Sequence, residues 1–296
     1  MPRGGQPAAW RGCTDVPLPW LAPVAAGTTF VVLLLLEAWR PLRSPVEPKA
    51  RRIARNAALL ALSAGCVALL QAAFLAAVVA WVEGHRVGLL WRLALADPWR
   101  IVIGVLALDY TLWHWHRWNH VVPFLWRFHV VHHADRELDA STGARFHFGE
   151  MSLSVGYRAL QVLVIGADAP TLVVWSVLLI PSVLFHHSNL RLHPRVERLL
   201  VPVIVTPRMH TIHHSNWRDE TDSNWSSLLS IWDRLHGTLR LDVPLDVVSI
   251  GVPAYGRPEE VTLGRMLTAP FLPQPDHWQG RLRRALPSGR GPEAPE

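Results

Sequence analysis

The chain has 296 residues, of which half are hydrophobic and 15 are tryptophan, and its formal net charge is +6. The two cysteines, Cys13 and Cys66, are far apart, which excludes a disulfide framework, an iron–sulfur cluster and a cysteine-based zinc site. The positive charge suits nucleic acid or anionic lipid as a partner. The long apolar runs favour the lipid and disfavour nucleic acid.

Three apolar segments are long enough to cross a bilayer, which requires about 20 such residues. They cover residues 20–39, 57–82 and 101–118, and the middle segment contains no charged residue. This makes buried helices of a soluble protein the weaker interpretation. Residues 1–18, which are rich in Gly, Pro and Arg, do not resemble a cleaved signal peptide and are predicted to be flexible.

The connection after the first span carries six basic residues and the next connection only two, so the positive-inside rule places the first in the cytoplasm. The third span then returns the chain to the cytoplasmic side near His116. A fourth apolar segment, 155–185, contains turn signals at Gly166, Asp168 and Pro170. Because a single crossing would separate the histidines on either side of it, we predict a short helical hairpin there.

Histidines recur at helical spacing in three clusters. Residues three and four apart lie on one helix face, so each cluster can present imidazoles to a common point. Imidazole suits zinc, copper, iron or nickel and disfavours magnesium and calcium. Eight histidines exceed the four ligands of one tetrahedral zinc, so two metals are predicted. The clusters are His116 and His120; His129, His132 and His133; and His210, His213 and His214.

Other polar residues lie near these clusters. His147 is interpreted equally well as a ligand or as a hydrogen-bond partner of one. His186 and His187 are adjacent and therefore point about 100° apart on a helix, so one of them at most is expected to face the metals. Carboxylates after the third cluster can orient imidazoles, although an exposed loop is the favoured interpretation for Glu220.

Six segments together match the pattern of a known group of enzymes. They are HRWNH at 116–120, LWRFHVVHH at 125–133, ARFHFGE at 144–150, HSN at 187–189, TPRMHTIHH at 206–214 and SIWDRLHGT at 230–238. Over residues 36–240 the chain resembles the fatty acid hydroxylase superfamily, and within it the bacterial sterol-desaturase-like proteins. His236, Trp113 and the segment 224–226 depart from the family's usual residues, which leaves the substrate open.

The resemblance implies an integral membrane enzyme with a non-haem di-iron centre that uses dioxygen to hydroxylate or desaturate a fatty acyl or sterol-like lipid. The fold expected is all-α, with three spans, a helical hairpin and a cytoplasmic histidine-rich cap, in the bacterial inner membrane. No flavin, haem or iron–sulfur motif is visible, so a separate electron-transfer protein is expected to supply two electrons. The implied ligands of two irons are His116, His120, His129, His132, His133, His187, His210, His213 and His214, with His147 less certain.

Residues 19–240 are expected to form the membrane-embedded domain, and residues 241–296 a C-terminal extension with a disordered tail, because Pro, Gly and Arg are frequent from Pro270 onward. Two other functions fit parts of the pattern. A zinc-dependent membrane hydrolase would need a general base, such as Asp135 or Glu150. A metal transporter would need ionisable residues within the spans, where Asp109 is the candidate.

Overall fold

The structure, a computed structural model, describes residues 20–93 and 95–285, with the backbone alone for residues 66 and 69–72. This part of the chain is helical and contains isolated β-bridges but no strand, which confirms the predicted all-α class. The predicted flexible segment 1–18 lies outside the described residues. The helices are α1 (Leu21–Trp39), α2 (Lys49–His85), α3 (Leu89–Arg92), α4 (Asp97–Val121), α5 (Pro123–His133), α6 (Phe148–Gln161), α7 (Ala169–His187), α8 (Pro194–Leu200), α9 (Pro207–His213), α10 (Arg218–Thr221), α11 (Ile231–Leu235) and α12 (Leu263–Thr268).

Three helical segments are long and apolar enough to cross a membrane. At about 1.5 Å per residue, α1 extends about 28 Å, which matches the hydrocarbon thickness of a bilayer. The first segment agrees with the predicted span 20–39, and the second overlaps the predicted span 57–82. The three are Leu21–Trp39, Ala73–Arg92 and Ala169–His187.

The third predicted span, 101–118, is helical but is not one of these three segments. The whole span lies within α4 and carries Asp109 and His116, which lower its hydropathy. The Asp109 carboxylate is buried and accepts hydrogen bonds from Trp232 Nε1 at 2.7 Å and from Leu229 N at 3.1 Å. α4 therefore joins the apolar helices to the polar part of the protein. The third described segment that is long and apolar enough to cross a membrane is α7 instead.

The predicted hairpin turns where the sequence places its turn signals. A π-helical turn, Val162–Gly166, follows α6, and Asp168 caps α7 by accepting a hydrogen bond from Thr171 N at 3.0 Å. Gly166 has φ +78°, and a Cβ there would lie 2.7 Å from Val87 O, so glycine is required on both counts. The two limbs pack mainly on different partners, with α6 against α2 and α7 against α1 and α4.

The C-terminal ends of α1, α4 and α7 meet the N-terminal ends of α2 and α6 at one end of the molecule. Glu37, near the end of α1, accepts hydrogen bonds from Ala140 N at 2.8 Å and Asn189 N at 2.9 Å. We call residues 122–147 and 188–285, which cover this end, the cap. Two histidine clusters lie in the cap and the third, His116 and His120, lies directly beside it. This agrees with the predicted hairpin, which returns the chain to the same end of the molecule.

A buried polar network attaches the start of α2 to the cap. Arg52 forms an ion pair with Asp135 at 3.1 Å, and Asn56 donates to the same carboxylate at 3.1 Å. Arg145 donates to Asn56 Oδ1 at 2.9 Å, and all four side chains are buried. Breaking a buried ion pair costs about 3–5 kcal/mol, and here Arg55, which also pairs with Asp135 at 3.3 Å, would compensate part of that cost.

The segment after residue 240 packs on the same end of the molecule. Met266 lies in an apolar cluster with Leu59 of α2, and Trp278 stacks on Trp126 of α5 at a centroid distance of 5.7 Å. Residues 270–285, which belong to the region of frequent Pro, Gly and Arg, are therefore held against the cap, whereas the residues after 285 lie outside the described part. The domain boundary near residue 240 stays a prediction.

Candidate metal centre

The first two histidine clusters are placed by a break between α4 and α5. His116 and His120 lie one turn apart at the end of α4. Val122 then adopts an extended conformation, with φ −94° and ψ 113°, and Pro123 begins α5. Proline is tolerated at the first position of a helix but not in its interior. Pro123 therefore interrupts the helix between the first two clusters, and the break turns the second cluster back towards the first.

The remaining histidines come from α7 and α9. His187 is the last residue of α7. Thr206 caps α9 by accepting a hydrogen bond from Met209 N, and Pro207 occupies the first helical position. This short helix carries His210 and His213, and His214 follows directly.

The nine histidines implied by the family resemblance lie in two groups, within each of which the candidate ligand nitrogens are within 4.8 Å of one another. Several Nε2 atoms approach closely: His132 and His187 at 3.0 Å, His187 and His210 at 2.9 Å, and His210 and His214 at 3.1 Å. Nitrogens that surround one ion at about 2.1 Å also lie about 3 Å apart. The first group is His116, His120, His129, His133 and His213, and the second group is His132, His187, His210 and His214.

Each H-x-x-H-H pattern contributes to both groups. In α5, His129 and His133 enter the first group while His132 enters the second. In the pattern that begins in α9 the division is reversed, because His213 enters the first group while His210 and His214 enter the second. Adjacent helical residues point about 100° apart, so one short helix can serve two neighbouring sites. The expectation that each cluster presents all its imidazoles to one point is corrected in this respect.

Most of the imidazoles are held by an oxygen acceptor on the Nδ1 side. A hydrogen bond from Nδ1–H leaves the Nε2 lone pair free for a metal and orients the ring. Four acceptors are backbone carbonyls, which no side-chain pattern could reveal, and the fifth is the Glu150 carboxylate. The pairs are His116 with Trp225 O at 2.8 Å, His129 with Glu150 Oε1 at 2.9 Å, His132 with Arg145 O at 3.2 Å, His187 with Val183 O at 2.7 Å and His213 with Ser223 O at 2.7 Å.

The environment keeps the cap imidazoles neutral. Burial, followed by the neighbouring imidazoles, holds the pKa of His132 and of His133 well below the ordinary value, and the same causes act on His210. Burial lowers the pKa of His213 to about 3. A neutral imidazole is the form that binds a metal. At neutral pH these rings are therefore ready to act as ligands without losing a proton.

Several ring nitrogens in the first group are buried and have no hydrogen-bond partner among the residues that the structure describes. They are both nitrogens of His120 and the Nε2 atoms of His129 and His133. An unpaired buried polar atom costs about 1–3 kcal/mol, so four together require an explanation. A bound transition metal would satisfy them, and the all-nitrogen donor set suits such an ion.

Two histidines near the clusters do not enter either group. His147 accepts a hydrogen bond from Gly149 N at 2.9 Å and its Nε2 lies 3.1 Å from Leu267 O, so it caps α6 and ties it to α12. Neither partner belongs to a candidate ligand, so the expected hydrogen bond to a ligand is not observed, and the contacts of His147 are those of a helix cap. His186 packs against His210 at a centroid distance of 4.1 Å, but only its neighbour His187 belongs to a group, as expected.

The prediction that Glu220 lies in an exposed loop is wrong. Its side chain is fully buried and accepts hydrogen bonds from Ser215 Oγ and from Arg284 Nε, the latter at 2.7 Å. Arg284 lies 64 residues further along the chain, so local sequence held no sign of this contact. Asp222, another candidate to orient an imidazole, lies 3.7 Å from His120 Nδ1, which is too long for a direct hydrogen bond.

Comparison with known proteins places these residues in a wider group. Residues 101–238 match the family model named fatty acid hydroxylase. Ornithine lipid hydroxylase OlsE of Rhizobium tropici is 30% identical over 146 residues, covering 48% of this chain and 43% of the relative. Human alkylglycerol monooxygenase is 27% identical over 229 residues, covering 72% and 46%. Mouse cholesterol 25-hydroxylase is 29% identical over 143 residues, covering 47% and 46%.

The chain spans about half the length of the curated relatives that it matches. No solved structure shows a significant match. The matched region begins within α4 and ends just after α11, so it contains every histidine of the two groups.

Proposed function

We propose that this chain is a member of the fatty acid hydroxylase family, whose model matches its residues 101–238, and that it is a membrane di-iron oxygenase that hydroxylates a lipid. The observation that carries the proposal is the convergence of nine imidazoles into two adjacent groups. One ion in each group agrees with the number of nitrogens that each provides. The nine histidines are proposed as the ligands, and His147 is not.

Two bound irons would supply the reduction of dioxygen that is needed to oxidise an unactivated C–H bond. The protein's own residues hold and orient the ligands for that chemistry. Glu150 fixes the ring of His129 and the Arg145 carbonyl fixes that of His132, so both Nε2 atoms face their groups. Burial of the two groups excludes bulk water and so limits side reactions.

A lipid chain can reach this site from the bilayer. Two of the three apolar segments, Leu21–Trp39 and Ala169–His187, end at or near the cap, and His187 is itself the last residue of the second. The relatives are named as hydroxylases or monooxygenases of ornithine lipid, alkylglycerol and cholesterol, each of which is an amphipathic lipid. This favours hydroxylation over desaturation. By the charge of the connections, we place the cap on the cytoplasmic side of a bacterial inner membrane, where a separate protein would deliver electrons.

The zinc hydrolase is the main alternative, and both of its candidate bases are occupied. Glu150 accepts a hydrogen bond from His129, and Asp135 is bound by Arg52 and Asn56. Burial opposes ionisation of Asp135, yet the arginines around it lower the pKa of its carboxyl below the ordinary value. A weak base held in a structural network is a poor choice for activating water.

The proposal is tested on full-length protein purified in detergent and reconstituted with Fe(II). Iron content and reductant-dependent dioxygen uptake are measured with and without lipid. A His132→Ala, His133→Ala variant removes one ligand from each group, and His85→Ala is the matched control, because His85 is exposed and distant from both groups.

We expect about two irons per chain in the wild type, one for each nitrogen-rich group. Lipid-dependent dioxygen uptake should be lost in the double variant and retained in the control. One tightly held zinc that iron does not replace, with no dioxygen uptake, would contradict the oxygenase and favour the hydrolase.

A further inference from the structure

A cavity of about 810 Å³ opens in the cap, beside the second histidine group. Its wall comes from the connection after α1, the segment after α5, the end of α7 and the region after residue 240. Arginines outnumber carboxylates in this wall by four to two. The charged residues are Arg43, Arg136, Glu137, Arg191, Asp246 and Arg281.

The four arginines leave this wall with an excess of positive charge, although Glu37 and Glu137 lie close enough to Arg43 to stabilise its guanidinium. Within the part of the chain that the structure describes, none of them forms an ion pair with a carboxylate. Arg43 donates to Thr211 Oγ1 and to Leu138 O, and Arg191 donates to the carbonyls of Pro41 and Leu42. These acceptors are neutral, so they hold the guanidinium groups in place without cancelling their charge.

The side chains of Arg136 and Arg281 make no hydrogen bond with any described residue. The carboxylate of Glu137, by contrast, already accepts hydrogen bonds from the backbone nitrogens of Val46 and Glu47. Those backbone donors are neutral, so Glu137 keeps its charge, and two carboxylates, Glu137 and Asp246, face four guanidinium groups. The cavity is therefore suited to an anion, and guanidinium groups bind phosphate and carboxylate oxygens with paired hydrogen bonds.

A second space lies beside the cavity, near the ends of two apolar helices. It has a volume of about 380 Å³, shares Leu42, Arg191 and Leu245 with the first, and is lined by leucines and prolines together with four charged residues, Arg40, Arg191, Glu197 and Arg208. Leu42 follows the end of α1 by three residues, and Leu190 follows the end of α7 by three. An arginine-rich cavity next to leucines where two candidate spans end suits the anionic head of an amphipathic molecule whose chain lies in the membrane.

The wall of the cavity is also linked to the second histidine group. Arg43 reaches Thr211, which lies between His210 and His213 on α9. Gly251, on the opposite wall, donates its backbone N–H to His214 O at 3.1 Å. A molecule bound in the cavity would therefore lie beside the candidate metal centre.

We infer that this cavity binds the anionic head group, a phosphate or a carboxylate, of a membrane lipid. Taken with the proposed function, on which this step rests, the inference names lipids with an anionic head as the substrate class. Binding itself requires neither iron nor turnover. A failure of head-group binding and a failure of the oxygenase proposal can therefore be observed separately.

The test measures lipid binding to full-length, detergent-purified protein by native mass spectrometry, without reductant. Phosphatidylglycerol and oleate provide a phosphate and a carboxylate head, phosphatidylcholine is the zwitterionic comparison, and inorganic phosphate tests a soluble anion. The Arg136→Gln, Arg281→Gln variant removes two charges whose side chains hold no hydrogen bond in the fold. Arg51→Gln is the matched control, because Arg51 is exposed at the start of α2, at the same end of the molecule, and does not line the cavity.

We expect the wild type to prefer at least one anionic lipid over phosphatidylcholine. The double variant should weaken that binding by about ten-fold or more, since two charge-assisted contacts are lost, and the control by less than about two-fold. Equal losses in both variants would overturn the inference by assigning the effect to general surface charge. Arginine-dependent binding of inorganic phosphate with no binding of either anionic lipid would overturn the lipid as occupant. Lipid binding that follows this pattern in a protein without dioxygen uptake would support the inference and contradict the oxygenase alone.

Discussion

The two histidine groups share α5 and α9 but differ in what surrounds them. The first group contains His129, whose ring is oriented by the Glu150 carboxylate. It is completed by His116 and His120 of α4, a helix whose N-terminal half lies among the apolar helices. The second group is completed by His187 of α7, and Arg43 and Gly251 link it to the arginine-lined cavity. The two groups therefore differ in their neighbours: buried polar contacts hold the first group, whereas the second lies beside the cavity that we propose binds a lipid head.

The largest effects on iron content and dioxygen uptake are expected when a ligand is removed from one group at a time. His120→Ala affects only the first group and His210→Ala only the second, so each should lower iron from about two to about one per chain if the groups bind independently. Dioxygen uptake should fall to background in both variants. Metal analysis after desalting gives the answer. Loss of both irons from either variant would show that the shared helices make the two groups one cooperative site.

Substitution of Glu150 should weaken the first group selectively. Glu150→Gln keeps the size of the side chain but replaces the carboxylate that orients His129. Loss of such a partner lowers metal affinity by about 10- to 100-fold. Competition with a chelator would measure this for each iron, with Glu260→Gln as the control, because Glu260 is only half-buried and pairs with Arg257 away from both groups. Equal weakening of both irons would contradict a role confined to His129.

A change at Thr211 should affect the second group and the cavity wall together. Thr211→Val keeps the shape of the side chain but removes the acceptor for Arg43 and the donor to Pro207 O. Loss of a buried partner costs about 1–3 kcal/mol, which is measured as the free energy of unfolding in denaturant. Thr268→Val, in the exposed part of α12, is the control. An unchanged stability would show that the Arg43 contact contributes nothing to the fold.

The smallest effect is expected at His147, which lies outside both groups. His147→Ala removes the cap of α6 and should lower stability by about 1 kcal/mol, while His147→Asn should restore much of it, because asparagine is a good N-cap. Iron content should stay at the wild-type value in both variants. A loss of iron from His147→Asn would contradict this prediction, because it would show that His147 is a ligand and belongs to one of the two groups.

The sequence determined the features that depend on local spacing. The long apolar runs predict α1 and α2, and the turn signals at Gly166 and Asp168 predict the reversal before α7. The nine histidines were identified by their spacing together with the family resemblance, because positions three and four apart share a helix face whatever surrounds them. The choice of one residue from the pair His186 and His187 also follows from helix geometry.

Tertiary structure alone decided how the imidazoles divide between two sites, because this depends on the angle at which α5 and α9 face each other. The same holds for the backbone carbonyls that orient four rings, and for Glu220, which is buried by Arg284 from a distant segment. The arginine-lined cavity combines separate parts of the chain, from Leu42 at one extreme to Arg281 at the other. Local pattern carries no information about such contacts, since they form only when helices pack and bring remote residues together.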